Sequence, residues 1–288
     1  MEKLLVLPSL NEVFIWETQI VSADIQELTK KYPKIKFENG YKPDPKEMLR
    51  INPPILVNEE LVLKGNSIIT LKHNIKNAKI HYTLDGTEPD STTATIYTTP
   101  IKSSGSVSLK AIATKEGWYA SKKISNYFFK ATYTPDSVYL AFQPNQKYTG
   151  GGNKSLFDLK KGLTDNTTSA WLGFKETDFN AIFEFKEAKP ISNITLSFLK
   201  NIGSYIMPPT MVEVWGGNTK NDLKLLQKKS PIQAQKNDLT EISGFDLSFT
   251  KGNYKFIKVV AKPVTKLPIW HPGKGQKGWV FVDEVFFN

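Results

Sequence analysis

The chain has 288 residues, 40% hydrophobic and 12% aromatic, with 18 Gly and 17 Pro spread without a period; this is about two domains' worth of sequence with ordinary cores, and it excludes a disordered or collagen-like chain. Cysteine is absent, which removes disulfides, Cys-ligated zinc and thiol catalysis together. The net charge is +10, but the lysines are scattered, as at Lys30-Lys31, Lys122-Lys123, Lys160-Lys161 and Lys228-Lys229, so a solvated surface is expected and not a nucleic-acid interface.

Residues 1–40 read differently from the rest. Leu4, Leu5, Leu7 and Leu10 lead into Val13, Phe14, Ile15 and Trp16. A helix is expected at about 23–32, where Ile25, Leu28 and Tyr32 recur at helical spacing, Asp24 sits in the first turn and Pro33 stops the run. Ile35 and Phe37 then alternate as a short strand. The segments L-P-S-L-N-E-V-F-I-W-E-T-Q-I and I-Q-E-L-T-K-K-Y-P-K-I-K-F resemble the closing turn of a leucine-rich repeat. One repeat cannot bury its own apolar face, so it either packs on the next domain or is the stump of a longer array; the stump is the favoured reading. Met1-Glu2-Lys3 is followed by only five residues before polar sequence resumes, so no signal peptide is expected within this stretch. No apolar run reaches the roughly 18 residues of a membrane span. If the parent protein is exported, its signal lies upstream.

Residues 41–54, with Pro43, Pro45, Pro53 and Pro54, have the composition of a linker. Residues 55–133 are β-patterned: Ile68, Ile69 and Leu71, then Ile80, Tyr82 and Leu84, then Val107, Leu109 and Ile112, with a turn signal at Asp85-Gly86. A small β-sandwich is expected. I-H-Y-T-L-D-G-T-E-P-D at 80–90, I-Y-T-T-P-I at 96–101 and L-K-A-I-A-T-K-E-G-W-Y-A-S at 109–121 resemble the immunoglobulin-like, fibronectin-type-III-associated domain appended to bacterial chitobiases and β-hexosaminidases. That resemblance implies a spacer or accessory module, not the catalytic barrel.

Residues 134–155 hold Pro135, Pro144 and Gly150-Gly151-Gly152, a boundary or a long entry loop. The glycines lack phosphate-loop spacing. From 156 to 288 strands recur at 182–185, 194–198, 212–215, 256–260 and 279–282, a rhythm that fits an eight-stranded jelly roll. G-L-T-D-N-T-T-S-A-W at 162–171, F-I-K-V-V-A-K-P at 256–263 and W-V-F-V-D-E-V at 279–285 resemble the entry loop and closing strands of coagulation-factor type C, or discoidin-like, domains. I-G-S-Y-I-M-P-P-T-M-V-E-V at 202–214 and I-W-H-P-G-K-G-Q-K-G-W-V-F-V-D-E-V at 269–285 are similar to the version at the C-terminus of Bacteroidetes hexosaminidases. The usual Asp-Gly of the entry loop is Asp165-Asn166 here.

Asp283-Glu284 superficially matches the adjacent Asp-Glu pair of hexosaminidases. That pair belongs on a barrel of about 250 residues of alternating strand and helix, which this pattern lacks. Adjacent side chains on a regular strand also point to opposite faces, so no catalytic residue is assigned. The discoidin resemblance implies instead a structural Ca²⁺, with Asp165 and Thr168 supplying side-chain oxygens, Leu163 or Gly162 a carbonyl and Glu284 the closing carboxylate; the alternative is an ordinary turn with an exposed acid. For ligand binding, Tyr205, Trp270 and His271 lie in Pro/Gly-rich loops next to strand ends. They form either a shallow sugar platform or plugs for the ends of the sandwich. Trp171, Trp215, Trp279, His73 and His81 read as structural.

The expectation is a mainly β chain: a leucine-rich-repeat-like remnant at 1–40, a Pro-rich linker at 41–54, an immunoglobulin-like β-sandwich at 55–133 and a discoidin-like jelly-roll β-sandwich at 134–288. Its expected role is that of a monomeric, non-catalytic carbohydrate-binding module of a larger exported bacterial protein, periplasmic or at the cell surface. Its expected partner is a glycan, either an amino-sugar polymer or a host glycan. A protein–protein adhesion module is the first alternative, and a hexosaminidase fragment without its barrel is the second.

Overall fold

The computed structural model describes residues 5, 7–15, 20, 22–38, 48–65, 67–165, 167 and 170–288. Met1, Glu2, Lys3, Leu4, Trp16, Pro43, Pro45, Asn166 and Thr168, named above, lie outside the described residues. The chain divides into two compact units, Met1–Leu49 and Arg50–Asn288.

In the first unit, β1 (Glu12–Phe14) and β2 (Lys36–Glu38) pair in parallel, with Val13 opposite Phe37. The helix α1 (Ser22–Lys31) connects them. Its Asp24 in the first turn and Lys30 and Lys31 in the last oppose the helix dipole at both ends. Leu5, Ile15 and Ile35 are buried.

The second unit is built from strands, with only two short 3₁₀ turns, Asn153–Phe157 and Ile202–Ser204, among its described residues. Its first part holds β3 (Ile55–Leu56), β4 (Val62–Leu63), β5 (Ile68–Ile69), β6 (Leu71–Lys72) and β7 (Lys79–Thr83). It continues with β8 (Thr95–Ile96), β9 (Ile101–Lys102), β10 (Val107–Thr114) and β11 (Ile124–Lys130). A five-stranded sheet in the order β4-β11-β10-β7-β8 faces the pairs β3-β6 and β5-β9. Leu63, Leu109, Ala111 and Phe128 from the sheet meet Ile69, Leu71 and Ile101 from the pairs, which makes a sandwich. Residues 50–54, read from sequence as linker, belong to this sandwich: the Arg50 guanidinium donates to the Ala120 carbonyl at 2.5 Å, and Ile51 is buried. Proline content marked extended chain there but not whether that chain was docked.

The second part holds β12 (Ser137–Leu140), β13 (Leu172–Phe174), β14 (Phe179–Lys200), β15 (Met211–Gly217), β16 (Lys224–Lys229), β17 (Glu241–Lys262) and β18 (Val280–Phe287). They run in the order β13-β18-β14-β17-β15-β16, with β12 on β14. β14 and β17 are long enough to serve two layers. Before a register shift at Glu184/Lys189, β14 pairs with β12 and with the end of β17; after it, β14 pairs with β18 and with the start of β17. Phe183, Val214 and Ile257 from one layer pack on Ile194, Leu196, Leu247 and Phe287 from the other.

The two sandwiches are joined through their own apolar cluster of Val62, Phe129 and Phe286. The Phe129 and Phe286 rings stack at 4.9 Å. Asn288 Nδ2 donates to the Lys130 carbonyl at 3.0 Å, and the Thr132 hydroxyl donates to Asn288 Oδ1 at 2.7 Å.

Candidate functional site

Two loops meet at one end of the second sandwich. The first follows β14. Asn201 Oδ1 caps the 3₁₀ turn by accepting the Ser204 N–H at 3.1 Å, and Tyr205 takes the left-handed conformation at φ 65°. The second, Leu267 to Gly278, is pinned across its neck by Leu267 N–H to the Gln276 carbonyl at 2.7 Å and Gly275 N–H to the Leu267 carbonyl at 3.0 Å. His271 joins the loops. Its Nε2 reaches the Ile202 carbonyl at 2.9 Å, and its Nδ1 accepts the Gly273 N–H at 2.9 Å. Both ring nitrogens are therefore used, and only 3% of the residue is exposed. Gly273 lies so close that a Cβ there would stand 2.1 Å from Tyr205 Cε1.

The structure thus brings Tyr205, Trp270 and His271 together. Tyr205 meets His271 edge-on at 4.8 Å, and Trp270 lies 5.8 Å from it. His271 positions the loops and has no free polar atom for a ligand. Tyr205 and Trp270 are half-buried against Met207, Ala234, Val264 and Leu267. The tip of the second loop is Ile269, 89% exposed, which the sequence reading passed over.

The second constellation is Asp283-Glu284. The expectation that they face opposite sides is corrected. Val280, Val282, Val285 and Phe287 all enter the core, whereas Phe281 and Phe286 pack outside it. Two residues, not one, separate Val282 from Val285. β18 carries a bulge opposite Ser197/Phe198, and it turns both carboxylates toward the joint between the sandwiches. Both are fully buried. Lys161 comes in from the entry loop, its Nζ 2.7 Å from Asp283 Oδ2 and 4.0 Å above the Phe129 ring, and it hydrogen-bonds Ser197 Oγ. Gly162 N–H donates to the same Asp283 oxygen at 2.9 Å. Asp283 Oδ1 has no hydrogen-bond partner, and neither Glu284 oxygen has one of good geometry, although the Leu159 backbone N–H lies toward them and favours their charged form. Burial pushes the Glu284 carboxyl up to about 8; the Lys161 ammonium opposes this, and Asp283 adds to it.

Of the residues expected to hold a metal, Glu284 and Gly162 come to one place, linked through Asp283. The Leu163 carbonyl accepts the Trp171 indole N–H at 3.0 Å, and Asp165 is exposed. Among the described residues no group of three or more His, Cys, Asp or Glu side chains gathers. The chemistry of the orphaned oxygens still suits a hard cation: three carboxylate oxygens lie buried against one ammonium.

Residues 62–126 match the family described as chitobiase/beta-hexosaminidase C-terminal domain. The matched segment starts at β4 and ends within β11. Three solved structures are similar to part of the chain. One is the CBM32 of AlyQ in complex with 4,5-unsaturated mannuronic acid, 12% identical, covering 54% of this chain and 96% of that one at a TM-score of 0.36. Another is CpGH89CBM32-5 from Clostridium perfringens in complex with GalNAc-beta-1,3-galactose, 15% identical, covering 52% and 93% at 0.36. The third is the C-terminal domain of a chitobiase from Bacteroides fragilis, 12% identical, covering 54% and 95% at 0.34. No curated protein sequence matches the chain.

The sequence reading took Lys161 for one of many surface lysines. Its only signal is position, directly before the Gly162 that a buried Trp171 ring requires: a Cβ on Gly162 would lie 2.3 Å from that ring.

Proposed function

We propose that Arg50–Asn288 is a non-catalytic carbohydrate-binding and accessory unit of a larger exported protein, acting outside the cytoplasm. The match of residues 62–126 to the chitobiase/β-hexosaminidase C-terminal domain carries this reading. The strand-built architecture of the unit's described residues supports it. So does the burial of Asp283-Glu284: a carboxylate pair fully sealed from solvent cannot reach a glycosidic bond in a polymer. In this reading the second sandwich is the discoidin-like domain and residues 1–40 are the end of a repeat array.

The glycan contact is assigned to Tyr205 and Trp270, with His271 holding their loops in register. An aromatic face and a few fixed polar groups give weak, shallow binding, with dissociation constants of roughly 10 µM to 1 mM. In a glycan array followed by calorimetry on chitin fragments, galactosides and mucin glycans, at least one class binds, and Trp270→Ala weakens it tenfold or more. Silence across all three classes overturns the proposal.

Calcium belongs to the same proposal, held by Glu284 and Asp283 Oδ1, where it would neutralise buried charge and staple the entry loop to β18. Millimolar CaCl₂ should then raise the melting temperature over EDTA, and Glu284→Gln should abolish the rise. Equal melting in both leaves Lys161 as the sole counter-ion and sinks the metal.

A further inference from the structure

The face of β10 and β11 that looks away from the first core does two different things along its length. Alternation sends Leu109, Ala111 and Phe128 inward and puts Ser108, Lys110, Ser125 and Tyr127 outward, with Ser108 opposite Tyr127 and Lys110 opposite Ser125. At the Phe129 end this outer face is closed by Phe286. Toward Ser125 it stays open and becomes one wall of a cleft of about 1030 Å³. The start of β17, through Glu241, Ser243 and Asp246, and the loop carrying Asp238 form the opposite wall.

Two features make this cleft a site and not a seam. First, it is held open and held still. Solvent-facing strand positions commonly carry branched or long side chains, but the floor here is Ser108 and Ser125, which fill little space. Neither hydroxyl has a hydrogen-bond partner among the described residues. At the base, the Tyr127 hydroxyl donates to Asp246 at 2.5 Å, the Thr195 hydroxyl donates to the same carboxylate at 2.5 Å, and Ser106 Oγ lies 3.0 Å from Thr195 Oγ1. The walls are therefore tied together before any ligand arrives, which lowers the ordering cost of binding.

Second, the cleft is acidic in a basic protein. Its carboxylates are Asp85, Glu88, Asp238, Glu241 and Asp246, and its lysines are Lys110, Lys123 and Lys200. Lys110 and Lys123 both serve Glu88, at 2.8 and 2.6 Å, and Lys200 serves Asp238 and Glu241, at 3.0 and 2.8 Å. Five acids against three ammonium groups leave two negative charges uncompensated, in a chain of net charge +10. Ile232, 92% exposed, and Leu239, 79% exposed, stand at the rim and offer apolar surface.

We propose that the cleft between the two sandwiches is a second ligand site, for a cationic, hydroxyl-rich chain: an oligomer of deacetylated glucosamine. The inference rests on the reading of the unit as carbohydrate-binding, but it uses none of the loop residues assigned above. Ring hydroxyls meet the free serine hydroxyls, and the protonated amines meet the surplus carboxylates. Clefts at domain junctions with a few convergent polar groups are where such sites concentrate.

The test is amide-shift mapping and calorimetry on the 288-residue chain with a glucosamine hexamer, its N-acetylated counterpart and an oligogalacturonate. The glucosamine hexamer is expected to shift Ser108, Ser125 and Ser243, to bind at least tenfold more tightly than the other two and to weaken with salt. Ser125→Trp, at an exposed position, should weaken it tenfold or more without lowering the melting temperature. The mapping on unaltered protein decides the question even where the variant disturbs the fold. Shifts confined to the Tyr205 and Trp270 loops overturn the cleft and leave the carbohydrate reading standing. No binding of any saccharide overturns both, and equal binding of the acetylated hexamer in the cleft overturns the charge argument.

Discussion

Glu284 concentrates the electrostatics of the molecule in one side chain. Its carboxyl is pushed up to about 8 from an ordinary 4.5, by burial first. A raised folded-state value means the native protein holds this proton more tightly than the unfolded chain does. The stabilisation is complete below about 4.5, declines as pH rises, and is lost above about 8. In EDTA, Glu284→Gln should therefore gain stability relative to the parent between pH 5 and 9, by on the order of 2–4 kcal/mol at the alkaline end. Urea titrations at three pH values measure this, and a pH-independent difference would refute it. At this scale the sequence was partly legible. Trp171 was recognisable as core from its motif and is fully buried. His271 was placed in the right loop, but not its reach to the Ile202 carbonyl in the other loop, because a residue's neighbours across a fold are not written next to it.

The strands of the second sandwich were legible where apolar residues alternate or run together, as at 182–185, 194–198 and 256–260. The bulge in β18 was not. V-F-V-D-E-V scans as an unbroken strand, and only the partner strand reveals that two residues stand opposite one. Nor was the span of β14 visible, because Lys186, Glu187, Lys189 and Pro190 interrupt its apolar pattern at the very place where the strand passes between layers. The bulge supplies an element-scale prediction. Deleting Asp283 removes the extra residue and restores plain alternation: Val282 stays opposite Phe198, Glu284 stays opposite Ser197, and Val285 and Phe287 still face the core. The variant should keep a cooperative thermal transition by circular dichroism, whereas an alanine inserted between Val285 and Phe286 turns Phe287 out of the core and should abolish that transition. Loss of cooperativity on deleting Asp283 would mean that the strand register is not set as described.

Over the whole molecule, the mainly β class was legible from composition, turn spacing and the scarcity of helical periodicity after residue 40. The joint between the sandwiches was not, because its residues, Val62, Phe129 and Phe286, look like ordinary core positions of separate domains. Physically they form one further small core. The parent should melt in one transition, and Phe129→Ala should cost about 3–5 kcal/mol and split it into two, as the sandwiches cease to stabilise one another. Calorimetry checks this, and one sharp, unshifted transition in the variant would contradict a shared core.

Lys161 lies beneath that joint with about a tenth of its side chain accessible, while its neighbour Lys160 is exposed. An amine-acylating reagent in solution will modify the second at once and the first only when the sandwiches part. The ratio of the two modified peptides over time is a clock for how often this joint breathes, already built into the chain.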